Sequence, residues 1–161
     1  MSLRKERLSW IFIGALLAAV VVTAYFVLLP QLQPHLTVRL GDGIFNARVI
    51  TPKDYAKNGM QHVNQLRADK AILHIYDSDG LWSIEMKDRH DSFDLVWLDS
   101  TKKVIHIVKN ASAESVPATL FSPRINARYM IEMRGGSVDA KSIHIDHEAY
   151  FDENNIQGLK L

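Results

Sequence analysis

The side chains best suited to acid–base chemistry in this sequence are four carboxylates within one polar stretch of ten residues. They are Glu85, Asp88, Asp91 and Asp94. Two carboxylates at a suitable distance can hydrolyse a glycosidic bond when the pKa of one is raised so that it acts as general acid. Glu85, Asp88 and Asp94 are therefore candidate catalytic residues of a glycan hydrolase. The alternative is a solvated loop, with Asp94 held by Lys109 as a structural ion pair.

Histidine suggests metal binding as a second chemistry, since the chain has seven. His144 and Asp146 would share one face of a predicted last strand, with His147 on the other face. A complete site needs a third ligand from another element, such as His74 or His106. The alternative is a set of ordinary polar residues on an edge strand.

Other chemistries lack the residues that they need. The chain has no cysteine, which excludes disulfides, thiolate zinc sites and cysteine nucleophiles. It also lacks a Gly-x-Ser-x-Gly nucleophile motif and a phosphate-binding glycine loop, and we predict no cofactor. Residues 31–161 carry sixteen basic against seventeen acidic side chains. Nucleic acid is therefore not an expected partner, because binding to its backbone needs a basic surface.

The element that would position these side chains is a β-ribbon over 93–110. Two runs rich in β-branched and aromatic residues flank the polar residues 100–103, which is typical of a hairpin. This loop places Leu98 opposite Ile105, and Trp97 opposite His106. It also places Asp94 opposite Lys109. Both faces of the ribbon are largely apolar, so we expect it to lie inside the fold.

Further short strands with turn signals between them surround the ribbon. We predict strands over 36–40 and 44–50, joined by Gly41-Asp42-Gly43, and over 71–76 and 81–86, joined by 77–80. Strands over 127–133 and 143–151 follow, with a helical turn over 138–141 between them. One short helix should begin at Pro52. The pattern predicts a mainly antiparallel β domain, barrel- or sandwich-like and α+β at most, with one short helix.

The N-terminal segment has a different composition from the rest of the chain. Trp10–Leu29 contains no charged residue and twelve large aliphatic or phenylalanine residues. Twenty helical residues span about 30 Å, the thickness of the hydrocarbon layer. We therefore predict a transmembrane helix bound by membrane lipid. Because Arg4, Lys5 and Arg7 precede it, the N-terminus should lie in the cytoplasm.

This organisation divides the chain into four parts. Residues 1–30 form the cytoplasmic N-terminus and the anchor, and 31–35 a proline-containing spacer. Residues 36–151 form an extracytoplasmic β domain, and 152–161 a loose tail. We expect a single-pass protein of the cytoplasmic membrane, with its C-terminal domain outside the cell.

Several short elements between residues 59 and 138 occur in a recognisable order. They are Gly-Met at 59–60, Glu-Met-Lys-Asp at 85–88, the ribbon strands, a loop with Pro117 and Phe121, and Ala-Arg-Tyr-Met-Ile-Glu-Met at 127–133 before Gly135-Gly136. Their order and spacing resemble those of the domain of unknown function 192 family of bacteria and archaea. That family has Gly-Leu-Met, Trp-Met-Lys-Asn and Ala-Arg-Tyr-Val-Leu-Glu-Leu in these places. Here Glu85, Asp88 and Ser92 replace its tryptophan, asparagine and proline.

The resemblance implies a compact, largely β domain that is often secreted or membrane-anchored, and it brings no established activity. A pocket around the shared elements would use Met86, Lys87, Asp88, Arg89 and Phe121 as binding residues. We therefore expect a binding or assembly module for an envelope protein or glycan. The alternatives are the carboxylate-dependent glycan hydrolase and a metal-binding module that uses His144 and Asp146.

Overall fold

The structure is a computed structural model that describes residues 14–24, 35–52, 66–86, 89–112 and 120–155. The chain divides into two units, residues 1–33 and residues 34–161. In the first unit, residues 14–24 form helix α1. None of the helices in the described ranges is both long and apolar enough to cross a membrane. The two ends of the predicted anchor, residues 10–13 and 25–29, lie outside these ranges.

Among its described residues, the second unit contains eight strands, a short α-helix, a 3₁₀ turn and one helical residue at Pro52. The strands are β1 (His35–Leu40), β2 (Gly43–Ile50), β3 (Lys70–Gly80), β4 (Ile84–Glu85), β5 (Phe93–Leu98), β6 (Val104–Ala111), β7 (Leu120–Phe121) and β8 (Ala127–Arg134). Helix α2 (Ser137–Ala140) follows β8, where a helical turn was predicted. A 3₁₀ turn, Glu153–Asn155, lies at the start of the predicted loose tail.

Six strands form one mixed sheet in the order β1-β2-β3-β8-β5-β6, and β4 pairs with β7 in a second sheet. The mainly β prediction is confirmed, and five of the six strand pairs in the described ranges are antiparallel, but the main sheet is mixed because β2 and β3 are parallel. A parallel pair needs a crossover of about a dozen residues or more. The nineteen residues 51–69 between these strands supply it. Pro52 is helical, and the rest of the helix predicted there lies outside the described residues.

Of the three predicted hairpins, the first and the third are confirmed. Gly41 and Asp42 join β1 to β2, and Gly41 has φ 55°, a left-handed conformation that glycine adopts without strain. The hairpin predicted around residues 77–80 is wrong. There β3 continues to Gly80, and β4 pairs with β7 instead. A register shift after Ile75 places the acidic residues of this stretch in an irregular part of β3, so they do not form a turn.

The β5–β6 ribbon keeps the predicted register only in its middle. Trp97 pairs with His106 as predicted, but Leu98 pairs with Val104. A second irregularity lies between Phe93 and Leu95, so the predicted Asp94–Lys109 ion pair is wrong. Two bulges therefore re-aim the ends of the ribbon, which strict alternation does not foresee.

The C-terminal segment 146–150 hydrogen-bonds to both edge strands of the main sheet. Val104 donates its N–H to the His147 carbonyl (2.8 Å), and Arg39 exchanges two backbone hydrogen bonds with Tyr150 (2.9 and 2.8 Å). The last strand predicted over 143–151 is wrong, because the segment contains turns and only isolated bridges to β1 and to Lys103. The sheet is not a closed barrel, yet this segment partly covers both of its edges.

Both faces of the central strands β3, β5 and β8 are buried over most of their length, as expected for strands without a polar face, whereas β1 and β2 alternate buried residues with exposed or half-buried ones. Neighbouring residues of β5 belong to two different apolar clusters: Val96 and Leu98 to one, Leu95 and Trp97 to the other. The first cluster also contains the buried apolar residues of β1 and β2, together with Val138 of α2. We call the second one the outer cluster. The irregular segments and the small β4–β7 sheet cover it, and it holds the polar residues described next.

Candidate functional site

The outer cluster surrounds a buried carboxylate, that of Glu132. Glu132 lies on β8, between β3 and β5, with Ile72 and Leu95 directly opposite on the two neighbouring strands. His74, two residues along β3 from Ile72, points to the same face of the sheet and reaches Glu132 diagonally. Glu132 is fully buried, and His74 is 2% exposed. The central strands of the sheet therefore hold an acidic and a basic side chain away from water.

Arg89 reaches the same carboxylate from the irregular segment between β4 and β5. Its Nη1 donates to Glu132 Oε2 (2.5 Å), while the His74 Nε2 hydrogen-bonds to Glu132 Oε1. The guanidinium carbon lies 4.8 Å from the centre of the Phe93 ring, in a cation–π contact. We call Glu132, His74 and Arg89 the buried triad.

The triad keeps Glu132 ionised. Burial alone would raise the pKa of its carboxyl, but the charges and hydrogen bonds of His74 and Arg89 outweigh burial and hold the pKa below its usual range. Both carboxylate oxygens already accept a hydrogen bond. Glu132 therefore acts here as an anchor for two basic side chains, and general-base chemistry would require it to release one of them.

Stacked aromatic rings extend from the triad. The Tyr76 ring lies 6.3 Å from that of His74 and 4.6 Å from that of Trp82, nearly parallel to both. Burial and the nearby charge of Glu132 raise the pKa of the Tyr76 hydroxyl. The Trp97 Nε1 donates to the Trp82 carbonyl (2.9 Å), so β5 holds this covering segment in place.

Three of the five predicted binding residues are described, and these three lie beside the triad or within its cover. Met86 is fully buried in the outer cluster, and Phe121, half-buried on β7, packs against it. Arg89 contacts Glu132 directly. Lys87 and Asp88 lie outside the described residues.

The three catalytic candidates do not form a pair of free carboxylates among the described residues. Glu85 is half-buried on β4, and Asp88 is not described. Asp94 is fully buried and accepts the backbone N–H groups of Asn110 (2.9 Å) and Val138 (2.7 Å), so it joins β6 and α2 to β5. Lys109, its predicted partner, instead pairs with Asp139 at the surface (2.5 Å).

The two metal candidates, His144 and Asp146, are both exposed. The His144 ring lies 5.2 Å from that of His147 and at right angles to it. Of the suggested third ligands, His74 belongs to the buried triad, and His106 packs against Trp97. Within the ranges that the structure describes, no three histidine, cysteine or carboxylate side chains gather as a metal site.

Sequence reasoning did not find the triad, although a signal for it was present. His74 and Glu132 are polar residues within long apolar runs, Ala-Ile-Leu-His-Ile-Tyr and Tyr-Met-Ile-Glu-Met. Buried polar residues need partners, so two such residues suggest each other. Only the order of the strands shows that β3 and β8 are neighbours.

Comparisons with solved structures show the same fold in two bacterial proteins. A putative transcription regulator from Sinorhizobium meliloti 1021 is 17% identical, with a TM-score of 0.64 over 74% of this chain and 95% of that one. A protein of unknown function from Novosphingobium aromaticivorans DSM 12444 is 15% identical, with a TM-score of 0.59 over 72% of this chain and 83% of that one. At such identities the likeness shows a shared fold alone.

A comparison with curated proteins finds no match. The profile of the domain of unknown function 192 family (DUF192), described as "Uncharacterized ACR", matches residues 36–151. This range begins at the second residue of β1, contains the seven other strands of the described residues and ends after the segment that covers the sheet edges. It also contains all three residues of the buried triad. The chain therefore belongs to the DUF192 family.

Proposed function

We propose that this protein is a single-pass membrane protein whose DUF192 domain lies outside the cytoplasm and binds a component of the cell envelope. The observation that carries the anchor is the surface of helix α1. Its large aliphatic side chains are exposed, and it has no charged residue. The exposed ones are Leu16, Leu17, Val20, Val21 and Val22. A helix that is apolar on all sides is typical of a membrane-spanning segment.

The one polar side chain of α1 also fits a lipid environment. Thr23 donates its hydroxyl to the carbonyl of Ala19 (2.8 Å), so the group is satisfied within the helix. In hydrocarbon no water is present to replace that hydrogen bond. The apolar sequence continues on both sides of α1, from Trp10 to Leu29, and this segment has twenty residues, the length that a bilayer requires.

The proposed orientation follows from charge. Three basic residues and one acidic residue precede the apolar segment, and the next basic residue after it is Arg39. The positive-inside rule then places the DUF192 domain on the outer side.

A binding role is supported by the state of the carboxylates. Asp94 and Glu132 are buried and fully engaged, so each stabilises the fold or positions a basic side chain. A hydrolase would need two carboxyl groups flanking its substrate. Asp94 could serve as one only by releasing two backbone N–H groups.

The experiment that tests the anchor is fractionation of a bacterial host that produces the full chain. We expect the protein in the membrane fraction after alkaline carbonate extraction. The double variant V20R/V21R should move to the soluble fraction, because each arginine costs about 2.5 to 3.5 kcal/mol in mid-membrane. The control is Ile44→Arg, a charge placed on an exposed aliphatic position of the domain, which should leave the distribution unchanged.

A C-terminal reporter that is active only outside the cytoplasm tests the orientation. The reporter is alkaline phosphatase fused to the C-terminus, and we expect this fusion to be active. Wild-type protein in the soluble fraction would refute the anchor, and an inactive fusion in the membrane fraction would refute the orientation.

A further inference from the structure

Arg89 is buried, but one of its hydrogen-bond donors has no acceptor in the part of the chain that the structure describes. The residue is 6% exposed, and its guanidinium group uses Nη1 for Glu132 and one face for the Phe93 ring. Its Nε is buried and has no hydrogen-bond partner within the described residues. Arginine remains charged at all physiological pH values, so this N–H group needs an acceptor.

The orientation of the guanidinium determines which acceptor fits. With Nη1 directed to Glu132, the remaining edge contains Nε, which together with Nη2 forms a fork. Such a fork matches two oxygens of a carboxylate or phosphate group. We propose that Arg89 binds an oxyanion of the envelope ligand through Nε, and that Glu132 and His74 are positioning residues that hold the guanidinium. This inference rests on the binding role proposed above.

The charge balance of the triad permits this use. Glu132 contributes one negative charge, and Arg89 contributes one positive charge, so the pair does not repel an incoming anion. The second donor to Glu132, His74, keeps the carboxylate from moving to the Nε edge. The triad therefore fixes Arg89 by one edge and leaves the buried Nε on the other edge unpaired among the described residues.

Nuclear magnetic resonance of the Arg89 Nε–H group tests the proposal in the unaltered protein. The full chain is purified in maltoside micelles, which contain no phosphate, and titrated with inorganic phosphate, acetate or chloride at constant ionic strength. We expect the Arg89 Hε resonance to move downfield and to saturate with phosphate or acetate, and to stay in place with chloride. Phosphatidylglycerol added to the micelles tests a lipid headgroup as the source of the oxyanion.

Arg128 is the internal control in the same spectra. Its Nε already donates to Asp79 Oδ1 (2.7 Å), so its resonance should not follow the titration. Arg89→Lys should weaken binding of the effective probe at least about tenfold, since lysine lacks the fork. Arg128→Lys should leave binding unchanged.

Three results would overturn the proposal: no movement of the Arg89 resonance with any probe, equal movement of the Arg128 resonance, or unchanged affinity in folded Arg89→Lys protein. If Arg89→Lys does not fold, the movement of the Arg89 Hε resonance in the unaltered protein decides the question. The titration uses purified protein, so its result does not depend on where the protein lies in the cell. A negative titration would therefore leave the membrane location intact, and a failed fractionation test would leave the binding of the oxyanion intact.

Discussion

Replacing Glu132 with glutamine tests whether the buried triad is a charged network. Glutamine has nearly the same shape, so packing in the outer cluster should be kept. The change removes the negative charge that faces Arg89, whose side chain is 4% exposed, and it gives His74 an amide as its partner. The guanidinium charge is then buried without compensation.

The expected loss follows from the burial of both partners. Breaking a buried ion pair by removing one member typically costs about 3 to 5 kcal/mol, because the other charge remains desolvated. We therefore expect Glu132→Gln to lower the free energy of unfolding by about 3 to 5 kcal/mol at pH 7. Urea denaturation of the full chain in micelles, followed by tryptophan fluorescence, measures this difference.

The pH dependence provides a second readout. The Glu132 pKa is lower in the folded protein than in the unfolded chain, where it is about 4.3. Its contribution to stability is complete above that value and is lost as the pH falls through the lower, folded pKa. The difference between wild-type protein and Glu132→Gln should therefore shrink as the pH falls below about 4.3.

Asp79→Asn is the matched control, since it also changes an arginine-bound carboxylate to an amide. The Asp79–Arg128 pair is half-exposed, so its loss should cost less than about 1 kcal/mol. A loss below about 1 kcal/mol for Glu132→Gln, or a difference that does not shrink below about pH 4.3, would show that the triad is not ionised as described.

Two further variants test the other structural contacts. Asp94→Asn should cost about 2 kcal/mol, because an amide leaves one of the two backbone N–H groups that the carboxylate binds without an acceptor. Asp139→Asn, in the exposed pair with Lys109, should change stability by less than about 0.5 kcal/mol. Equal urea midpoints for Asp94→Asn and Asp139→Asn would contradict this reasoning. Tyr150→Pro removes a backbone donor to Arg39 and should cost about 1 to 3 kcal/mol, whereas Tyr150→Ala, at a side chain 73% exposed, should have little effect. Thermal unfolding compares these two, and indistinguishable melting temperatures would mean that the segment over the sheet edges adds no stability.

The sequence by itself determined part of the local structure of the domain. Alternation and turn residues identified the β1–β2 hairpin and the pairing of Trp97 with His106, because these depend on contacts between residues close in the chain. The order of short motifs identified the family that the profile match then showed over residues 36–151. The anchor and the role of the domain at the envelope remain predictions from composition.

The tertiary structure alone decided which distant residues meet. Strict alternation paired Asp94 with Lys109, but a bulge displaced the register, and backbone N–H groups took the carboxylate instead. The parallel pairing of β2 with β3 depends on a long crossover, which local patterns do not record.

The buried triad shows the same limit. His74 and Glu132 are 58 positions apart, and Arg89 comes from a polar segment that looked like a solvated loop. From their residue types we could infer only that each of these side chains would need a hydrogen-bond partner if it were buried. The strand order decided that they are one another's partners, because burial and hydrogen bonding are settled by contacts across the sheet.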